Sequence, residues 1–595
     1  MALTPMMRQY FEIKERYQDC IVFFRLGDFY EMFFDDAKLA SKELELTLTG
    51  RDCGQEERAP MCGIPYHSCD GYIQRLIQKG YKVAICEQTE DPSQAKGIVK
   101  RDVVRVITPG TLIESQMLDE GQNNFICSVF EGKYYGVTFA DISTGEVYIT
   151  QVSKENGINS LLDELAGFMP KEVIVSQSLE NSKELINFFK NKLSCVYSYA
   201  DETIITKELI EKNVFKRFKN PSNNEKLKSS FSAVCSLCIL INYIENMQMG
   251  SLELFDYLNF YNESNYMQLG ITARMNLEIS QTIRTKEKKG TLLWVIDKTK
   301  TSMGKRFLKR EIERPLLNKT LIENRLDATD IFLKNNILLN ETGENLSGIY
   351  DIERLLSRIV YGSVNAREIK SLEYTAEKIP VLKKLIENYN TPFLKEIYDD
   401  LDSLDDIKAL IKSAICENPP ISVKDGNIFN KGYNKEIDEL RDVLENGKFY
   451  LAELEAKEKE KTGIKNLKVS YNKVFGYYFE VTKSYLEMVP DYFIRKQTLV
   501  NNERFITEEL KNLETKILNA NDKITRLEYE LFSKLRLLIT ENLFRIEKTA
   551  KSIAKMDFIY SLAKVASENN YSKPEICEEN LLIIKDGRHP VVEKF

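Results

Sequence analysis

The sequence predicts an α+β multidomain protein, and three observations carry that prediction. At 595 residues the chain exceeds what one hydrophobic core organises, so roughly three to five domains are expected. Short β-type runs alternate with helical ones up to about residue 250, whereas the chain beyond about residue 260 reads as long helices with few breakers. Between two of those helical runs lies a short β-type segment, Lys461 to Thr507, carrying a net charge of +4 inside a chain of net charge −7.

The first 115 residues form a mixed α/β unit. Ile21–Phe24 and Lys82–Cys86 read as strands, Phe33–Leu46 and Asp70–Gln78 as helices, the latter opened by Asp70 as N-cap. Thr108-Pro109-Gly110 is a closing turn. A second α/β unit follows. Phe125–Phe130, Tyr134–Phe139 and Glu146–Gln151 are three β-type runs, joined by Glu131-Gly132-Lys133 and Ser143-Thr144-Gly145 at hairpin length, which makes a meander; mainly helical sequence comes after it.

The long-helix region is defined by two runs. Asn434–Lys461 is rich in Glu, Lys and Leu, and Phe505–Tyr571 contains no Gly or Pro, with apolar residues recurring every three, four or seven positions. A continuous helix over about 45 of these residues would be roughly 65–70 Å long. Leu467–Tyr471 and Tyr477–Thr482 alternate as strands between the two runs, so the basic β segment belongs at the tip of a helical hairpin.

Composition narrows the function classes. No apolar run reaches the roughly eighteen residues of a membrane span, and Met1–Arg8 lacks the layout of a secretion signal. The 11 cysteines have no repeating framework and read as reduced cytoplasmic thiols. Only 2 histidines, His67 and His589, are available for acid–base work. No Gly-x-x-x-x-Gly-Lys-Ser/Thr loop occurs: Gly132-Lys133, Gly304-Lys305 and Gly447-Lys448 are followed by Tyr, Arg and Phe. The expectation is a binder, not an enzyme, with no cofactor in this chain.

Four constellations bear on chemistry. In Gly27-Asp28-Phe29-Tyr30-Glu31, an aromatic and a carboxylate two residues apart share one side of an extended chain, as a wedge between base pairs beside a base-reading acid would. From the tripeptide alone, a core Phe29 and a solvated Glu31 is the stronger reading. Lys468, Asn472, Lys473, Arg495, Lys496, Gln497 and Thr498 supply phosphate-binding groups on the β tip, and a merely solubilising tip explains them as well. Asp141 sits on a ribonuclease-H-like strand but lacks the partner carboxylates of a two-metal site. Cys53, Cys62, His67 and Cys69 lack zinc spacing, and Cys235-x-x-Cys238 lies in an apolar helix, so no metal is expected.

Several ordered blocks together resemble the MutS family of mismatch-recognition proteins. They are Leu3–Tyr10, Phe24–Phe33, Pro60–His67 and Val83–Gln88 for a mismatch-binding domain. Arg274–Ile279 and Gly304–Arg310 resemble the family's helical core, and Phe475–Tyr478 and Arg495–Leu499 its DNA clamp. The resemblance reverses the reading of the tripeptide: Phe29 inserts beside a mispaired base, Glu31 hydrogen-bonds that base, and Tyr30 has no direct role. It also implies domains at 1–115 (mismatch-binding), 116–255 (ribonuclease-H-like connector), 256–447 with 508–566 (helical core and lever arms) and 448–507 (DNA clamp). Residues 567–595, with Asp586–Glu593, resemble the start of an ATPase domain. ATP, Mg²⁺ and the switch they drive are then expected in the full-length relative, together with a homodimer and a downstream MutL-type partner. A coiled-coil scaffold and a metal-dependent nuclease centred on Asp141 are the rival expectations. The implied location is cytoplasmic, at the nucleoid.

Overall fold

The computed structural model describes residues 3–90, 97–218, 221–248, 253–255, 257–472, 476–499 and 501–595. Lys473, an expected clamp residue, lies outside them. The chain forms two compact units. The first comprises Met1–Ser363, Tyr374–Leu404 and Asn542–Phe595; the second comprises Val364–Glu373 and Asp405–Glu541.

The first unit opens with helix α1 (Pro5–Arg16), started by a proline in its first turn and by Thr4, whose Oγ accepts the Met7 amide at 3.4 Å. Strands β1 (Cys20–Leu26), β2 (Phe29–Phe33), β3 (Thr49–Arg51), β4 (Ala59–Pro65), β5 (Lys82–Gln88) and β6 (Arg101–Ile107) make one sheet in the order β3-β4-β2-β1-β5-β6. Only β1 and β5 pair in parallel. Strand alternation sends Tyr30, Met32 and Ile64 toward α2 (Phe34–Leu44) and α3 (Cys69–Gln78), and Phe24, Phe33 and Ala84 toward Met7 and Tyr10 of α1. Asp70 is not the cap of α3. The helix begins one residue earlier, and Asp70 lies in its first turn, where the helix dipole favours an acid.

The predicted meander is β7 (Ile126–Glu131), β8 (Tyr135–Asp141) and β9 (Glu146–Val152). The mainly helical sequence expected after it also contains β10 (Glu172–Val175), β11 (Val196–Tyr199) and β12 (Leu258–Phe260), giving a second sheet ordered β11-β10-β7-β8-β9-β12. β10 and β12 run parallel to β7 and β9. β10 is buried throughout and shows no alternation, while β11 and β12 are only four and three residues long, too short for a period of two to register. Helix α4 (Phe231–Gln248) covers this sheet and buries Cys235 and Cys238. Buried ion pairs tie the sheet to the helices that follow. Arg310 meets Glu146 at 2.7 Å, Arg314 meets Glu164 at 3.1 Å, and Arg354 donates to the carbonyls of Asp119 and Gln122 at 2.8 and 2.6 Å. Arg306 grips Asp351 through two 2.7 Å bonds and Glu353 at 2.6 Å. In a low-dielectric interior such charges are costly unless paired, and these contacts offset that cost.

The second unit is built on α5 (Lys435–Thr462) and α6 (Glu508–Thr540), which lie antiparallel: Lys457 meets Glu509 at 3.0 Å, and Lys523 meets Glu436 at 2.9 Å. Asn434 and Thr507 cap their N-termini through side-chain oxygens. Between them, β13 (Lys468–Asn472), β14 (Gly476–Thr482), β15 (Ile494–Thr498) and β16 (Asn502–Ile506) form an antiparallel sheet in the order β13-β14-β16-β15. Its apolar face, with Phe479, Val481 and Phe505, packs on Leu451, Leu454 and Leu510 of the two helices. β15 and β16 were not foreseen.

The run Phe505–Tyr571, free of Gly and Pro and read as long-helix sequence, opens on the end of β16 and then forms two helices. α6 stops at Thr540, and α7 (Leu543–Asn569) starts anew in the first unit. No glycine or proline marks the junction. α7 is buried on most of its surface, against helix Ser302–Glu313 among others, whereas α6 keeps the charged faces of a two-helix arm.

Candidate nucleic-acid interface

β1 and β2 are joined by the two residues Gly27 and Asp28, and Gly27 takes φ +57°, which a side chain tolerates poorly. Arg25 secures this turn: its Nε donates to the Gly27 carbonyl at 2.6 Å, while its guanidinium lies 3.5 Å from the centre of the Tyr66 ring. The Tyr66 amide in turn donates to the Asp28 carbonyl at 3.0 Å. Phe29 emerges from the turn 47% exposed, although Tyr30, Met32 and Phe33 after it are buried. An uncovered phenylalanine at a rigid turn is what separates Phe29 from the core aromatics around it.

Glu31 lies on the same face of β2 as Phe29, half-buried, and Arg51 Nη1 donates to its Oε2. Tyr30 points to the opposite face, where its hydroxyl donates to Glu87; burial, and then that carboxylate, hold the phenol neutral well above its usual range. Sequence reasoning named Phe29 and Glu31 but missed Arg51, Arg25 and Tyr66. Tyr66 falls inside a family-like block, but nothing in the sequence pairs residue 51 with residue 31.

The second candidate surface is the outer face of the four-stranded sheet. Register places Lys468, Glu480, Arg504 and Gln497 in one row across β13, β14, β16 and β15, with Asn472 further along β13 on the same face. Arg504 Nη1 donates to Gln497 Oε1 at 2.8 Å, and its guanidinium lies 4.4 Å from the Tyr478 ring centre. Lys468 is exposed, as are Lys496, at a bulge in β15, and Thr498, at the end of β15. Arg495 is committed to the buried Glu503 at 2.8 Å, which cancels part of its charge. Arg504 was counted in the basic segment but not singled out, and it belongs to this face.

Other candidates resolve into structural roles. Asp141 is fully buried: its Oδ1 accepts the amide and hydroxyl of Ser143 (2.9 and 2.7 Å) in the β8–β9 turn, and its Oδ2 accepts Asn123 Nδ2 (2.9 Å) and the Asn124 amide (3.0 Å) just before β7, so it ties the two segments together. Cys53 and Cys62 are buried with their thiols donating to the Glu57 and Ala37 carbonyls, and burial pushes Cys62 up to about 11. Among the described residues no three His, Cys, Asp or Glu side chains cluster as metal ligands. The Gly-Lys pairs sit in packed surroundings. A Cβ at Gly304 would lie 2.1 Å from the Asp557 carboxylate, Gly132 packs on Ser232, and Gly447 packs on Ile517.

A sheet-bearing N-terminal part that presents an uncovered aromatic, a second mixed sheet and a long helical hairpin with a basic β tip make up a multidomain α+β architecture. Comparison with known proteins places it. Three family models match in order: MutS domain I over residues 4–116, MutS domain II over 124–256 and MutS domain III over 272–563. Relatives named DNA mismatch repair protein MutS are 47% identical in Acetivibrio thermocellus, 50% in Clostridium novyi and 49% in Ruminiclostridium cellulolyticum. Each alignment covers 100% of this chain and, respectively, 68%, 65% and 68% of the relative. The chain belongs to the MutS family, and it spans about two thirds of the length of those relatives.

Proposed function

We propose that this chain binds duplex DNA at mispaired bases or small loops to initiate mismatch repair, with Phe29 as the wedge and Glu31 as the base-reading acid. The observation that carries this reading is Phe29 itself, 47% exposed at a braced turn with Glu31 beside it on the same strand face. Inserting a ring between base steps costs a few kcal/mol of lost stacking, and less where pairing is already broken. That difference is a source of discrimination that needs no sequence readout. The outer face of the β13–β16 sheet, with Lys468, Asn472, Arg504, Lys496 and Gln497, acts as a sequence-independent grip on the phosphate backbone.

The connector sheet we read as ribonuclease-H-like in layout, and its acid Asp141 as structural. ATP and Mg²⁺, the switch they drive, the homodimer and a MutL-type partner we assign to the longer relatives, by resemblance. No observation favours a coiled-coil scaffold or a nuclease.

Fluorescence anisotropy with a G·T-mismatched duplex and its matched control tests the proposal. The chain should prefer the mismatch, and Phe29→Ala should remove that preference, costing about 1–3 kcal/mol on the mismatched duplex, while weak salt-sensitive binding persists. Undiminished discrimination in that variant would refute the wedge role.

A further inference from the structure

Glu31 presents a physical difficulty that its role as a base reader does not resolve. A carboxylate brought to the floor of a DNA groove is repelled by the phosphates, and a long side chain on an open strand face has many rotamers to lose. Arg51 answers both. It sits two strands away on β3, the edge of the sheet, and Arg51 faces Ala59 on β4 while Glu31 faces Gly63 on the same strand. Strand alternation therefore places Phe29, Glu31, Gly63, Ala59 and Arg51 on one face. Gly63 has no side chain to stand between them: a Cβ there would lie 3.5 Å from Glu31 Cγ. Across that gap Arg51 Nη1 donates to Glu31 Oε2, with the acid's side chain 14% exposed and the arginine's 37%. Among the described residues, Oε1 of Glu31 has no hydrogen bond assigned to it.

We infer that Arg51 is a positioning residue for the reading carboxylate, a step that rests on the proposed roles of Phe29 and Glu31. One oxygen of Glu31 is pinned by the guanidinium and the other is left to accept an N–H from a displaced base. Arg51 also supplies the charge that lets the acid approach the phosphates. An arginine does this better than a lysine, because its planar fork fixes orientation as well as charge.

The test is a double-mutant cycle on the full 595-residue chain, read by anisotropy on G·T-mismatched and matched duplexes at several salt concentrations. Arg51→Gln should weaken mismatched binding roughly tenfold, the scale of one charge-assisted hydrogen bond, and leave matched binding within about twofold. Arg51→Lys should restore part of the loss. In a Glu31→Gln background, Arg51→Gln should add less than about a twofold effect, because the group it positions is gone. Equal losses on both duplexes with a shallower salt dependence would overturn the inference and make Arg51 a phosphate contact. So would additive effects of the two substitutions, which would make Arg51 merely structural. A wild-type chain without mismatch preference would overturn the reading of the site and this inference with it. A discriminating wild type whose Arg51→Gln variant discriminates equally well would overturn the Arg51 role alone.

Discussion

A carboxylate with no solvent exposure must be compensated from nearby, and the bonds assigned to Asp557 are all from neutral donors. The Lys300 amide (2.9 and 3.0 Å), the Thr301 amide (2.8 Å) and the Thr301 hydroxyl (2.7 Å) all point at it, while Gly304 clears the space in front. Burial pushes this acid up to about 6, against the lowering effect of those bonds. Between about pH 4 and 6 the folded state therefore keeps a proton that the unfolded chain releases. Stability from this group is full below the unfolded value and is lost as pH rises through about 6, a change of order 3 kcal/mol. Asp557→Asn removes the titration, so the stability difference between wild type and variant should shrink or reverse across that window. Trp294 is the only tryptophan, on a short helix (Leu292–Ile296) that packs on α7, and its fluorescence during urea unfolding reports the change. A difference that stays constant with pH would show that Asp557 is ionised throughout. Asp557 was invisible in the sequence because its donors lie some 250 residues upstream, the same reason that Arg51 was invisible beside Glu31.

At the scale of elements, the β13–β16 sheet separates its residues by face, and the separation ranks their expected contributions. Lys468 and Lys496 are exposed, whereas Arg495 is held by the buried Glu503. Neutralising Lys468 or Lys496 should weaken matched and mismatched duplex alike and reduce the salt slope by about one unit each. Neutralising Arg495 should do less to the slope and more to the stability of the sheet. A slope untouched by the two lysines would remove the sheet from the DNA contact. Sequence patterning found β13 and β14, where apolar and polar residues alternate, but not β15, whose Ile494-Arg495-Lys496-Gln497-Thr498 is almost wholly exposed on the sheet edge. The boundary between α6 and α7 was unreadable for a related reason. With neither Gly nor Pro present, local propensity favours continuation, and the break comes from which residues the rest of the fold buries.

At the scale of the whole molecule, the chain leaves and re-enters its two units, so neither is a contiguous segment, and each should respond to denaturant through its own contacts. The first holds two six-stranded sheets, the buried Arg306 and Arg310 networks and α7. The second relies on a two-helix arm with exposed Phe449, Tyr450 and Tyr529, and on a four-stranded sheet. Far-UV ellipticity should therefore begin to fall at lower urea than the Trp294 signal, since the arm contributes helix but no tryptophan. Ligand linkage then separates the two binding surfaces. A duplex at about a hundred times its Kd stabilises whatever unit it engages by about 2.7 kcal/mol. On the proposed roles, matched duplex gripped by the β-sheet tip should shift the early ellipticity transition alone. Mismatched duplex should then shift the Trp294 transition as well, and Phe29→Ala should cancel that second shift. Coincident transitions that move together with either duplex would mean that the two units fold as one, and that backbone grip and mismatch reading are coupled through stability instead of divided between them.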